Sequence, residues 1–207
     1  NETARRKHLA SDMVMALEHN ALELYYQPIV NLESGRCEAV EALLRWRHPE
    51  LGFIPPNEVI QVAEEFQLAE KLGSWVLNTA CEQLHQWQHL GLVDLQMCVN
   101  ISPGMYQRNM LKLVAKALME HHIPASCLVL EVTEDTTMRE VKNSLQLMQD
   151  LSQQGVHLAL DDFGTGYSSL SYLQKLPVSK VKIDRSFIQG IDTSIEAAEL
   201  VANICRM

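Results

Sequence analysis

Acidic and amide side chains stand in the second halves of several stretches that otherwise have the apolar composition of buried strands. They are Glu41, Asn100, Glu131, Asp161 and Asp162. The strands of parallel sheets read as nearly continuous apolar runs, so these residues need an explanation. A buried carboxylate without a partner is costly, and each of these groups therefore requires a cation or a hydrogen-bond donor close by.

Two explanations remain open from the residue types alone. In the first, the groups form ordinary ion pairs; the candidate pairs are Lys182 with Asp161 or Glu131, and Arg45 with Glu41. In the second, the excess of carboxylates attracts divalent cations, because crowded negative charges repel one another. Oxygen atoms of Glu, Asp and Asn are the ligands preferred by Mg²⁺, Mn²⁺ or Ca²⁺. A metal-assisted reaction on a phosphate is then indicated, with proton abstraction and a Schiff-base lysine as competing chemistries.

The elements that would position these residues alternate between strands and helices. Strands are predicted over 22–30, 37–46, 95–102, 127–133, 156–162 and 180–187. Helices are predicted over 4–19, 58–72, 74–90, 107–121, 138–153, 168–174 and 194–206, with Gly73 ending the second of them as a C-cap. This order predicts parallel strands covered by helices, either as a (β/α) barrel or as a doubly wound sheet. No G-x-G-x-x-G motif follows the first strand, which argues against a dinucleotide-binding Rossmann domain.

Length, charge and cysteine content limit the class of protein. The 207 residues suffice for one domain with a substantial core, and no apolar run has the length of a membrane span. The net charge of −9 argues against binding of a DNA or RNA polymer through a basic surface. The five cysteines are odd in number and contain no C-x-x-C, which indicates reduced thiols in a cytoplasmic protein rather than a zinc site.

A series of motifs resembles the EAL domain family. They are Glu41-Ala42-Leu43 followed by His48-Pro49, Tyr25-Tyr26-Gln27-Pro28, Val99-Asn100-Ile101-Ser102, Leu130-Glu131-Val132-Thr133-Glu134, Asp161-Asp162-Phe163-Gly164-Thr165-Gly166 and Lys182-Ile183-Asp184-Arg185-Ser186-Phe187. Their order and spacing are also similar to the family pattern, from Leu22 to the end of the sequence.

The resemblance implies a modified TIM (β/α)₈ barrel, at residues 21–207, whose first strand is antiparallel to the others. Family domains continue with a Glu-Gly-Val-Glu strand and a Gln-Gly-Tyr strand; neither motif occurs here, so we expect the last one to two strands to be absent. The resemblance also implies hydrolysis of cyclic di-GMP to linear pGpG with two divalent ions, Mg²⁺ or Mn²⁺. Residues 1–20 are expected to form a helix or linker from an upstream domain.

Roles are carried over from the family to the matching positions. The metal ligands implied are Glu41, Asn100, Glu131, Asp161 and Asp162, of which Glu41 and Asp162 also count as catalytic. Lys182 resembles the catalytic lysine that positions the attacking water. Arg45 and Gln27 resemble substrate contacts, and Glu134 resembles the glutamate that braces the loop over 163–169.

Three functional hypotheses follow from the residues and the resemblance. The first is the cyclic di-GMP phosphodiesterase; the second is a catalytically inactive receptor that binds cyclic di-GMP without cleaving it. The third is a barrel that acts on another phosphodiester. The resemblance also implies a possible homodimer and an upstream sensor or GGDEF domain in a parent protein, which other domains could anchor to a membrane.

Overall fold

The computed structural model describes residues 2–19, 21–106, 109–133, 136–137, 141–164, 174–189 and 191–206. The strands are β1 (Leu22–Val30), β2 (Cys37–His48), β3 (Gly52–Ile54), β4 (Gln96–Ile101), β5 (Leu128–Thr133), β6 (His157–Phe163) and β7 (Lys180–Ile183). The helices are α1 (Glu2–Glu18), α2 (Pro56–Glu65), α3 (Ala69–His89), α4 (Met110–Glu120), α5 (Val141–Gln153), α6 (Arg185–Ile188) and α7 (Ile195–Cys205), with a short 3₁₀ turn at Ala125–Cys127. The predicted helix over 168–174 lies mostly outside the described residues.

The described strands form one mixed sheet in the order β1-β2-β4-β5-β6-β7, with β3 paired to β2. β1 is antiparallel to β2, while β2, β4, β5, β6 and β7 pair in parallel. Described helices lie between β2 and β4, between β4 and β5, and between β5 and β6, as the long connection between two parallel strands requires. The antiparallel first strand predicted from the resemblance is thereby confirmed.

The two faces of the sheet differ in chemistry because side chains alternate along each strand. On the outer face of β4, Met97, Val99 and Ile101 are buried beneath the helices. On the inner face of the same strand, Cys98 is buried and Asn100 is exposed. The apolar outer face therefore fixes the register, and the register determines which polar groups point inward.

A layer of small side chains lies on the inner face, one level below the polar groups. It consists of Ala39, Cys98, Val129 and Ala159, all buried and packed together. Cys98 and Val129 are paired directly, whereas Ala39 stands opposite Gln96 and Ala159 opposite Glu131, because the neighbouring strands are staggered. The layer closes the inner face toward the amino ends of the strands.

The first helix packs onto the barrel. Leu9 and Met13 of α1 are fully buried in the main core. The Nε2 atom of His48, at the end of β2, lies 2.9 Å from Oδ2 of Asp12, and the Nδ1 atom of His48 accepts bonds from two backbone N–H groups. Since Nδ1 is an acceptor, the Nε2–H donates to Asp12, and this bond ties α1 to the hairpin. No role for His48 was predicted from the sequence.

Two predicted boundaries are wrong. Gly73 does not end a helix; it lies inside α3, and the break comes at Phe66 to Leu68, where Gln67 has a φ of 58°. The predicted strand over 180–187 ends at Ile183, and Asp184 caps a short helix by accepting a bond from the Ser186 N–H. No helix among the described residues has both the length and the apolar character needed to cross a bilayer.

Candidate active site

Three carboxylates converge on one ammonium group at the carboxyl ends of the strands. The Nζ atom of Lys182 lies 2.6 Å from Oε2 of Glu131. It lies 3.2 Å from Oε2 of Glu41 and 3.3 Å from Oδ2 of Asp161. The four residues come from β7, β5, β2 and β6, so the fold brings together groups that are far apart in sequence.

Strand register explains this convergence. Asn100 of β4 stands beside Glu131 of β5, and its Nδ2 donates to Oε1 of Glu41 at 2.7 Å. Glu41 is itself in register with Cys98, one inner-face position below Asn100. The stagger between neighbouring parallel strands therefore places these side chains in one polar layer above the small residues.

A β-bulge brings both members of the Asp161-Asp162 pair to this end of the barrel. Leu160 pairs with Val181 and Phe163 with Ile183, so two residues of β6 stand opposite one of β7. Asp162 has a φ of 54°, a left-handed conformation that is uncommon for a residue other than glycine. Its backbone N–H donates to Oδ1 of Asp161 at 2.9 Å. Such a bulge re-aims a side chain that simple alternation would direct to the other face.

Burial and crowding set the charge state of the cluster. Burial raises the pKa of Glu131, whose side chain is only 2% exposed, and its contact with Lys182 opposes the rise. Burial alone would lower the pKa of Lys182, but Glu131, Asp161 and Glu41 together raise it above its ordinary value. Lys182 is therefore a firmly protonated cation at neutral pH.

Asp162 belongs to the same electrostatic group. Its pKa is raised by partial burial and by the negative charges of Asp161, Asp184 and Glu41, while Lys182 lowers it. Four carboxylates thus share the counter-charge of one lysine. This excess of negative charge fits a divalent cation.

The predicted substrate contacts lie on the inner face of β1 and β2. Gln27 stands opposite Glu41 across the antiparallel pair, and Tyr25 stands opposite Leu43. The guanidinium of Arg45 lies over the Tyr25 ring, with its carbon 5.4 Å from the ring centre, and Nη1 donates to the Leu44 carbonyl at 2.8 Å. The Arg45 guanidinium is therefore held in place beside the carboxylate cluster, where it is suited to bind an anionic ligand.

The structure places most, though not all, of the predicted site. Glu134 lies outside the described residues. In the part of the chain that is described, no three His, Cys, Asp or Glu side chains are arranged to share one ion; the carboxylates are arranged around Lys182 instead. The chemistry of the donor set, all carboxylate and amide oxygen, nevertheless matches Mg²⁺ or Mn²⁺.

Sequence reasoning missed two residues of the site. Cys98 lies beneath the cluster, where burial and the neighbouring Glu131 raise the pKa of its thiol to about 12. Tyr25 shares a face with Gln27 and carries the Arg45 contact. The two-residue alternation already placed Cys98 on the face of Asn100 without giving it a role, and the same alternation along β1 places Tyr25 on the face of Gln27.

The EAL domain family matches residues 10–207. The bifunctional diguanylate cyclase/cyclic di-GMP phosphodiesterase MucR of Pseudomonas aeruginosa is 43% identical over 197 residues, which are 95% of this chain and 29% of MucR. The cyclic di-GMP phosphodiesterase NbdA of the same organism is 38% identical over 200 residues, 96% of this chain and 26% of NbdA.

Solved structures agree in fold. The structure of the PaMucR phosphodiesterase in complex with c-di-GMP superposes with a TM-score of 0.88 at 42% identity, and the match covers 95% of this chain and 80% of that one. The chain spans less than a third of the length of the two curated relatives. Motifs, topology and relatives agree, and the chain belongs to the EAL domain family.

Proposed function

We propose that this chain hydrolyses cyclic di-GMP to linear pGpG with the help of two divalent ions, Mg²⁺ or Mn²⁺. The proposal is carried by the convergence of Glu41, Glu131 and Asp161 within 3.3 Å of the Lys182 ammonium. The similarity to MucR, and to a PaMucR structure that holds c-di-GMP, supports the choice of substrate.

The ions would be held by the polar layer. The proposed ligands are Glu41, Asn100, Glu131, Asp161 and Asp162. When bound, such ions lower the pKa of a coordinated water and stabilise negative charge on phosphate oxygens. Their entry requires the carboxylates to loosen their contacts with Lys182, because the two kinds of cation compete for the same oxygens.

Lys182 is proposed to position the attacking water. Its raised pKa keeps the amine protonated, so it can donate a hydrogen bond and cannot act as the base. Once released from a carboxylate, the ammonium would be free to hold a water in line with the phosphorus. The catalytic roles of Glu41 and Asp162 would be to hold and orient the bound ions.

Two residues on the inner face of β1 and β2 are proposed to contact the substrate. Arg45 would bind a phosphate oxygen through its guanidinium, and Gln27 would contact the ligand beside Glu41. Glu134 is proposed to brace the loop over 163–169, as the family resemblance implies.

A second candidate function is a receptor that binds cyclic di-GMP without cleaving it. It is favoured by the engagement of Lys182 with three carboxylates at once, which leaves them arranged around an ammonium. In a receptor this arrangement would persist when the dinucleotide binds.

The test is incubation of the 207-residue chain, and of a parent protein that contains it, with cyclic di-GMP and Mg²⁺ or Mn²⁺, followed by chromatography of the products. E41Q removes a charge from the cluster, and E38Q removes one from an exposed position on the same strand. We expect pGpG from the wild type and E38Q, and a loss in E41Q of at least about 100-fold, since even outer-shell partners contribute 10- to 100-fold. Metal-independent binding without product would establish the receptor. Equal turnover by E41Q and E38Q would refute the proposed site.

Partners and location are also proposed. The name of MucR combines two activities in one protein, which supports an upstream GGDEF or sensor domain here. A homodimer and a cytoplasmic location are proposed with it; all five cysteines are free, as a reducing compartment requires. Light scattering with and without Mg²⁺ tests for the dimer.

A further inference from the structure

Two histidines on α3 lie with their ring nitrogens in contact, away from the candidate active site. His85 and His89 are one helical turn apart, which places them on one face of the helix. Their Nε2 atoms share a hydrogen bond at 3.0 Å, in which one ring donates and the other accepts, and their ring planes meet at 87°. A metal ion bound by both nitrogens would replace the shared proton. His122, which follows α4, has its ring centre 6.3 Å from that of His85. His89 and His122 are exposed and His85 is half-buried.

This cluster lies at the opposite end of the barrel from the carboxylates. His89 ends α3, and the chain then enters β4 at Gln96, at the amino end of the sheet. The Lys182 cluster lies at the carboxyl ends of the strands. The two groups of side chains are therefore separated by the length of the strands and share no residue.

The distance between the two nitrogens matches that between neighbouring ligands of one metal ion. Metal–imidazole bonds are about 2.0–2.1 Å long, so two such nitrogens are about 2.9 Å apart at a right angle and about 3.4 Å apart at a tetrahedral angle. The 3.0 Å between His85 and His89 falls between these values, near the first. A right angle is typical of tetragonal Cu²⁺ and Ni²⁺ sites, and a small ring shift reaches the Zn²⁺ value.

We propose that His85 and His89 form a binding site for a late first-row divalent ion, Cu²⁺, Ni²⁺ or Zn²⁺, with His122 as a third ligand and water completing the coordination. The inference is independent of the proposed phosphodiesterase activity. Within the described residues no three His, Cys, Asp or Glu side chains are arranged to share one ion, so the α3 pair would form the primary site and His122 would join it only after its ring turns.

Two physical features favour a cation at this position. The site lies at the carboxyl end of α3, where the partial negative charge of the terminal carbonyl groups attracts cations. Imidazole is a preferred ligand of Zn²⁺, Cu²⁺ and Ni²⁺, whereas Mg²⁺ prefers oxygen. The two sites on this chain are therefore expected to select different metals.

The test uses the full chain without an affinity tag, in buffer with excess Mg²⁺ to occupy the carboxylate cluster. Zn²⁺ affinity is measured by competition with a colorimetric chelator, for the wild type, H85Q, H89Q and the double variant. H19Q, which removes an exposed histidine at the end of α1, is the matched control. We expect H85Q and H89Q to lose at least about tenfold in affinity, and H19Q to match the wild type.

Electron paramagnetic resonance with Cu²⁺ gives a second readout that does not depend on affinity. Nitrogen splitting from at least two imidazoles is expected in the wild type, and its loss is expected in the double variant, whose fold is checked by circular dichroism. Unchanged Zn²⁺ affinity in the double variant, or nitrogen splitting that persists in it, would overturn the proposal. H122Q is measured in the same way, and unchanged affinity in it would overturn the assignment of His122 as a third ligand.

Discussion

Replacement of Lys182 by methionine tests whether one ammonium group holds the carboxylates together. Methionine keeps much of the apolar stem and removes the charge, so Glu131, with its side chain 2% exposed, loses its partner. Breaking a fully buried pair by removing one partner costs about 3–5 kcal/mol. Lys182 is itself 30% exposed, so water takes over part of the interaction, and we expect K182M to lower the free energy of unfolding by about 2–3 kcal/mol.

The matched control is K180M. Lys180 lies on the same strand and the same face, is exposed, and donates to Oε1 of Gln96 at 2.5 Å rather than to a carboxylate. Its replacement is expected to change stability by less than about 0.5 kcal/mol, as for most surface substitutions. For a protein of this size, the expected difference between the two variants corresponds to about 4–12 °C in Tm.

The assay is urea or thermal unfolding, followed by circular dichroism, first without divalent ions and then with Mn²⁺. A ligand at 100 times its Kd stabilises the native state by about 2.7 kcal/mol, so saturating Mn²⁺ should restore most of the loss in K182M. The restoration should exceed the effect of Mn²⁺ on the wild type, in which the ion must first displace the ammonium. Equal stability of K182M and K180M, or no response of K182M to Mn²⁺, would show that the Lys182 ammonium does not hold the carboxylates together.

Two further predictions concern packing and accessibility. G164A should lower the free energy of unfolding by about 1–3 kcal/mol more than G91A. Both glycines have φ near +100°, so the backbone strain of an alanine is the same at the two positions. A Cβ at Gly164 would lie 2.7 Å from the Phe187 ring, whereas a Cβ at Gly91 would meet nothing within 4 Å. Urea unfolding of the two variants checks this, and equal losses would contradict the Phe187 contact. A thiol reagent at neutral pH should modify the exposed Cys37 and Cys205 quickly and leave the three buried thiols unmodified until the protein unfolds. Mass spectrometry counts the labels, and three or more labels on the folded protein would contradict the burial.

Sequence patterns predicted six of the seven described strands and their inner faces, because burial imposes a strict alternation; the short β3 was not predicted. β1 has the predicted bounds, and the inward groups of β2, β4 and β5 follow the two-residue period. The same period failed at Asp162, where a bulge and a positive φ direct consecutive aspartates to the same end of the barrel. A bulge depends on the pairing with β7, which local sequence does not specify.

The error at Gly73 has a different cause. Glycine often ends helices, but here its missing side chain makes room for Met105, whose Cε would lie 2.5 Å from a Cβ at this position. The glycine is therefore explained by close packing with a residue that is remote in sequence. Likewise, the contact between His48 and Asp12 joins residues 36 positions apart, and no local pattern predicts it.

The most direct test of the account is diffraction at the manganese absorption edge from crystals soaked with Mn²⁺ and cyclic di-GMP. We predict two anomalous peaks surrounded by oxygen atoms of Glu41, Asn100, Glu131, Asp161 and Asp162. Lys182 Nζ is then expected no longer to bridge three carboxylates. Persistence of that bridge, with no anomalous peak within coordination distance of the five residues, would contradict it.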